Sequence, residues 1–203
     1  MTVTERINSG ARRLPTWPVY LLCLLPVPWW VWQAQIGGLG REPIEALEHL
    51  LGETALQLLI AGLCVTPLRR YLGINLIRFR RALGLLAFTY VCLHLLVWVV
   101  LDLSLLWQQM WVDILKRPYI TIGMAGFLCL VPLAATSNAA SVRRLGAAGW
   151  QKLHRLTYPA ILLGAIHYVM LAKGFQIEPL AYLVAILGLL ALRIPGSRRK
   201  RAV

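Results

Sequence analysis

Acidic side chains are scarce in this chain. Its 203 residues include only 8 Asp and Glu against 21 Lys and Arg, and charged residues of both signs make up just 14%. That is far too little charge for the surface of a soluble domain. Cysteine is also rare. Cys23, Cys64, Cys92 and Cys129 each fall in a different apolar run and form no C-x-x-C pair, which argues against a disulfide framework or a zinc site and leaves them as small hydrophobes. The chain lacks a Glu-x-x-His pair for a di-iron centre, a base to activate Ser137 or Ser141 for hydrolysis, an internal repeat and a soluble linker. The stretch Gly37-Gly38-Leu39-Gly40 has no Lys-Ser/Thr after it and no strand before it, so it is no phosphate loop. It reads as a tight reversal at the end of a helix.

What is present in excess is apolar. Hydrophobic residues make up 59%, and the mean hydropathy is +0.66. Apolar runs near 17–36, 50–66, 82–101, 119–136, 156–172 and 179–194 approach the ~20 residues a helix needs to cross hydrocarbon. The expectation is an all-α membrane protein: one domain over residues 1–203, built as a six-helix transmembrane bundle. Pro26 and Pro28 should kink the first span. Arg12 and Arg13 ahead of that run resemble a signal peptide, but the run is long and no small-residue cleavage site follows, so a retained span is expected.

Charge asymmetry gives the orientation. Seventeen of the 21 Lys and Arg fall before span one, between spans two and three, between four and five, or after span six. The opposite side keeps Arg41, Lys116, Arg117 and Lys173, while Glu5 is the only acid on the basic side. The positive-inside rule then puts both termini in the cytoplasm. The charge of +13 is thus a topology signal with affinity for anionic headgroups; split over four segments, it does not make a nucleic-acid surface. Arg198–Arg201 reads as a lipid-facing anchor. On the other side, Trp107 and Trp111 predict a short amphipathic helix lying at the interface within 102–118.

Four histidines remain. An ionisable side chain within a bilayer is costly and usually functional. His94 on span three and His167 on span five sit at matching depths in the outer half, on parallel helices. Two neutral imidazoles facing each other are a pair of axial ligands for haem iron. Gly164 and Ala87 are the small residues expected to let a flat macrocycle approach. His154 lies on the cytoplasmic side, ringed by Arg143, Arg144, Lys152 and Arg155, with Pro159 expected to disturb the helix between it and His167. Its possible roles are a second haem, a flavin, a quinone headgroup, a lipid phosphate or simple hydration at the interface. His49 opens span two on the outer face. It is read as a helix-end residue, with contact to a haem propionate or iron ligation as the alternatives. Glu42, Glu45 and Glu48 read as solvated charge.

The motifs, taken in order, resemble a known family. Gly37-Gly38-Leu39-Gly40 with Pro43 is followed by His49, Gly52, Ala55 and Leu56, then Thr66-Pro67-Leu68, then Arg78, Arg80 and Arg81 with Leu83-Gly84. His94, Arg117-Pro118-Tyr119, Thr136-Ser137, Leu145-Gly146, Trp150, Leu153-His154 and His167-Tyr168 complete the series. The chain resembles the MsrQ family, haem-binding membrane subunits of bacterial periplasmic methionine sulfoxide reductase systems within the ferric-reductase-like transmembrane group. The resemblance implies a haem b cytochrome of the inner membrane with one haem or two, histidines matching His94, His154 and His167 tied to haem binding, and FMN as a further cofactor. It also implies electrons arriving from the quinone pool or a cytoplasmic flavin reductase and leaving for MsrP, a periplasmic molybdenum-cofactor subunit that repairs methionine sulfoxide. The competing readings are a stand-alone transmembrane ferric reductase and a non-redox scaffold or transporter.

Overall fold

The computed structural model describes residues 2–172 and 176–193. All regular elements among them are helical: α1 (Val3–Arg13), α2 (Trp17–Leu24), α3 (Pro26–Gln35), α4 (Pro43–Leu72), α5 (Arg80–Val97), α6 (Trp107–Lys116), α7 (Pro118–Ala135), α8 (Ala139–Leu153), α9 (Thr157–Leu171) and α10 (Ile177–Ala191). A π-helical turn, Trp98–Asp102, prolongs α5. The Arg198–Arg201 anchor, Lys173 and the end of the last apolar run lie outside the described residues.

Three stretches are long and apolar enough to cross a membrane by themselves: Pro43–Leu72, Ile77–Asp102 and Pro118–Ala135. A fourth is added if α1 and the α2–α3 stretch, bent by 90°, count as one span. All six expected apolar runs are helical, but α9 and α10 have only 15 residues each, about 22 Å of rise. The second run is much longer than its apolar stretch. Pro43 occupies the first turn of α4, where its missing N–H is no loss, and the charged ends stay helical beyond the apolar centre. The first run breaks at Leu25, just before Pro26.

Packing centres on two pairs, α4 with α5 and α7 with α9, which make the most extensive helix contacts. One buried cluster joins Leu56, Leu59 and Leu63 of α4 to Ala87 of α5, Leu130 and Leu133 of α7, Ala160, Ile161 and Ala165 of α9, and Ile186 of α10. Alanines on α5 and α9 let backbones approach closely, and van der Waals contact is what holds helices together in lipid. A second cluster sets Leu47, Leu51 and Ala55 of α4 and Tyr90 and Val97 of α5 against Leu24, Val27 and Trp30. Tyr90 is fully buried, and its hydroxyl donates to the Cys23 carbonyl.

Two helices are unexpected because neither is apolar. α1 opens with a capping box between Thr2 and Glu5. Asn8 ties it down: its Nδ2 donates to Gly73 O at 2.9 Å and its Oδ1 accepts from Asn75 N at 2.8 Å. Arg78 adds bonds to the carbonyls of Ala11 and Arg12. α8 is polar and bends at Gly146. The expected interfacial helix is α6. Trp107, Trp111 and Leu115 are exposed on one face, while Asp113 is buried and accepts from Gln109 at 2.7 Å. Arg117 pairs with Asp113 at 3.4 Å.

Asn8→Ala removes both side-chain bonds that anchor α1, a loss of about 1–2 kcal/mol. Amide hydrogen exchange across Val3–Arg13 should accelerate severalfold with α4–α5 exchange unchanged; unaltered exchange in α1 would show that these bonds do not hold it.

Candidate functional site

The two expected histidines meet. The rings of His94 on α5 and His167 on α9 have centroids 6.3 Å apart and planes inclined at 79°. Each ring is fixed by one bond to a neighbouring helix. His94 Nδ1 lies 2.9 Å from Glu48 O on α4, and His167 Nδ1 lies 2.7 Å from Tyr119 O on α7. A carbonyl oxygen only accepts, so Nδ1 carries the proton in both rings. That assigns the tautomer: Nε2 of each ring holds the free lone pair.

The same device seats both rings. In a helix the Cβ of residue i+4 leans back over the carbonyl of residue i. Gly52 is four residues after Glu48, and Gly123 four after Tyr119. A Cβ on Gly52 would lie 3.2 Å from His94 Nδ1, and one on Gly123 only 2.8 Å from His167 Nδ1. Both glycines leave a carbonyl open to an imidazole from the partner helix. On α7 the seat is fixed further by Arg117-Pro118-Tyr119. Pro118 opens the helix, and Arg117 Nη1 donates to the Tyr119 hydroxyl at 3.2 Å.

This arrangement fits a metal held between two imidazoles. With metal–nitrogen bonds of about 2 Å, such an axis separates ring centres by about 6 Å, close to the 6.3 Å found. A backbone carbonyl on the Nδ1–H is a usual partner of a histidine that ligates a metal. Among the described residues, no group of three or more His, Cys, Asp or Glu could hold a metal ion, so a two-ligand centre completed by a macrocycle is the chemistry these donors suit.

Comparison with known proteins supports that chemistry. Residues 51–165 match the family described as "Ferric reductase like transmembrane component". The protein-methionine-sulfoxide reductase heme-binding subunit MsrQ of Rhodospirillum rubrum is 49% identical over 193 residues, covering 94% of this chain and 92% of that protein. Its counterpart in Caulobacter vibrioides is 47% identical over 182 residues, 89% of this chain and 87% of that protein. That of Agrobacterium fabrum is 47% identical over 178 residues, with coverages of 88% and 82%. The chain belongs to the ferric-reductase-like transmembrane family, in its MsrQ branch.

Other expected site residues of this family member are more dispersed. His154 lies in a 3-10 turn just before α9, stacked on Trp150 with ring centroids 3.7 Å apart. Its Nε2 is 3.2 Å from Thr136 Oγ1. Burial, and then the Arg80 charge, push its imidazole below the ordinary range. Pro159 causes no break within α9, because it falls in the first turn of that helix. Arg143, Arg144, Lys152 and Arg155 are exposed, and the positive charge His154 senses is that of Arg80. His49 is exposed on α4, near enough for its charge to act on both paired histidines.

The sequence reading missed the two seats. Gly164 and Ala87, expected to let a macrocycle approach, are not the seats of the rings: a Cβ on Gly164 would meet Leu56 at 3.7 Å, and Ala87 is buried in the core. The readable signal was a glycine on the helix packed against each histidine's own, Gly52 on α4 for His94 and Gly123 on α7 for His167. Glu53 was also missed. It accepts from Tyr182 OH and Gln57 Nε2, both at 2.8 Å, linking α4 to α10.

In metal-free protein with 15N-labelled histidine, both paired rings should give the spectrum of the neutral Nδ1–H tautomer. An Nε2–H spectrum for either ring would contradict the carbonyl seats.

Proposed function

We propose that this chain is a haem b cytochrome of the bacterial inner membrane, with six spans in one domain and both termini in the cytoplasm. It passes electrons outward to a periplasmic molybdenum-dependent methionine sulfoxide reductase subunit, MsrP. The observation that carries this reading is the histidine pair: two Nδ1–H bonds to carbonyls leave two Nε2 lone pairs on rings 6.3 Å apart. The relatives named as heme-binding subunits of a protein-methionine-sulfoxide reductase support it.

A bis-imidazole iron porphyrin supplies reversible one-electron transfer. The protein's part is to bind and orient. His94 and His167 ligate iron, Glu48 O and Tyr119 O hold the rings at their angle, and Gly52 and Gly123 make room for them. His49, exposed near the start of α4, would be a helix-end residue or a contact to a propionate. At the basic end, His154 with Trp150 and Thr136 offers a second station for another haem, for FMN or for a quinone headgroup. Arg143, Arg144, Lys152 and Arg155 supply positive charge on the surrounding surface. The electron donor is the quinone pool or a cytoplasmic flavin reductase.

His94→Ala and His167→Ala should each abolish the Soret band assigned to the outer haem; a full band in either variant would overturn the ligand assignment. Gly123→Ala forces a 2.8 Å contact and Gly52→Ala a milder 3.2 Å one. Overpacking of this kind costs about 1–3 kcal/mol, so haem retention should fall at least about fivefold in the first and less in the second. His154→Ala should keep the outer haem and slow its reduction by a flavin or quinol donor. Full cofactor content with unchanged reduction in that variant would remove the second station. Stopped-flow oxidation of the reduced pigment should be faster with the periplasmic sulfoxide reductase than with a ferric chelate. The opposite order would favour a stand-alone ferric reductase.

A further inference from the structure

At the basic end of the bundle, four helices leave a pocket of about 280 Å3. Its walls come from Pro67 and Arg70 of α4, Arg80 of α5, Tyr158 of α9, and Leu192 and Arg193 just after α10. Three guanidinium groups share this space, and among the described residues no carboxylate lines it. Among the described residues the one salt bridge, Arg117 to Asp113, joins α6 to the start of α7.

Each arginine is partly used by the fold and partly free. Pro67 has no N–H, so Leu63, four residues back, has a carbonyl without its helical partner. Arg193 Nη2 donates to that Leu63 O at 2.6 Å, and Nη1 donates to the Tyr158 hydroxyl at 3.2 Å. Its Nε is buried and, among the described residues, has no partner. Arg70 Nη1 reaches Leu192 O at 3.4 Å. Arg80 lines the same pocket as Tyr158 and Arg193. A guanidinium carries five N–H donors and no acceptor, so many donors in the pocket remain open. Like charges held this close repel one another unless an anion lies between them.

We propose that this pocket binds the phosphate group of an anionic phospholipid. Forked guanidinium donors match the paired oxygens of a phosphate ester. The pocket sits where the apolar parts of α4, α5, α9 and α10 all end, which is headgroup depth for a bundle embedded in lipid. Pro67 and Leu192 give an apolar wall on which the glycerol and first acyl carbons can rest. Basic pockets between spanning helices on the cytoplasmic side recognise anionic headgroups. The site is separate from the histidine pair and does not depend on electron transfer.

The test uses the purified full-length protein in nanodiscs of phosphatidylcholine doped with phosphatidylglycerol, with retained lipid counted by native mass spectrometry. The wild type should keep one phosphatidylglycerol in preference to phosphatidylcholine. Arg70→Gln, which disturbs only a long exposed bond, should weaken that retention at least about fivefold; Arg193→Gln should weaken it further if it folds. Arg69→Gln, exposed and outside the pocket, should leave it unchanged. Equal retention of the two lipids, or equal effects of Arg70→Gln and Arg69→Gln, overturns the site. Separate arms add inorganic phosphate or FMN: failure of both to displace the lipid supports a lipid source, and displacement by either at micromolar concentration assigns the pocket to a soluble phosphate and overturns it.

Discussion

Two hydrogen bonds govern the rest of this molecule: the Nδ1–H of His94 to Glu48 O and that of His167 to Tyr119 O. A neutral imidazole in lipid must place its one donor on a protein acceptor or pay the cost of a buried polar group. Once that donor is spent on a carbonyl, the ring presents its remaining nitrogen as a lone pair in one direction. Each bond also staples one helix to the next, α5 to α4 and α9 to α7, and these are the two most extensive pairings in the bundle. Ring orientation and helix packing are therefore one constraint. A glycine on the partner helix suits it, because a Cβ there would crowd the ring, mildly at Gly52 and severely at Gly123.

The bundle is polar at its ends in two different ways. At the end bearing the histidine pair, an amphipathic helix holds tryptophans outward and one aspartate inward, and Arg117 joins this helix to the start of α7. At the other end, arginines outnumber acids so heavily that they must pair with backbone carbonyls, as Arg78 does with the end of α1 and Arg193 does with the carbonyl that Pro67 leaves open. Proline within a spanning helix is tolerable when a neighbour re-satisfies the freed group. Here the neighbour is a cation from the end of another helix, which draws charge into a pocket with no acid to balance it.

Much of this was legible in the sequence. Apolar runs gave six helical stretches, and the depth match of His94 and His167 gave the pair, because depth depends only on helix rise and is unaffected by how helices pack. What depended on packing was not legible. Gly52 and Gly123 act on rings from other helices, so no pattern within a histidine's own helix reveals them. α1 and α8 were missed because hydropathy is blind to polar helices, although the Thr2–Glu5 capping box was there to be read. α4 outran its apolar stretch because acidic and basic residues at helix ends remain helical outside the hydrocarbon. The charges expected around His154 proved to be exposed, and the one it senses, Arg80, comes from the start of α5.

The most direct test of the paired-imidazole account is electron paramagnetic resonance of the oxidised purified protein. Two neutral imidazoles with strongly inclined planes predict a low-spin, highly anisotropic ferric signal that is lost when either His94 or His167 is replaced. A high-spin signal in the wild type, or a low-spin signal that survives both replacements, would contradict it.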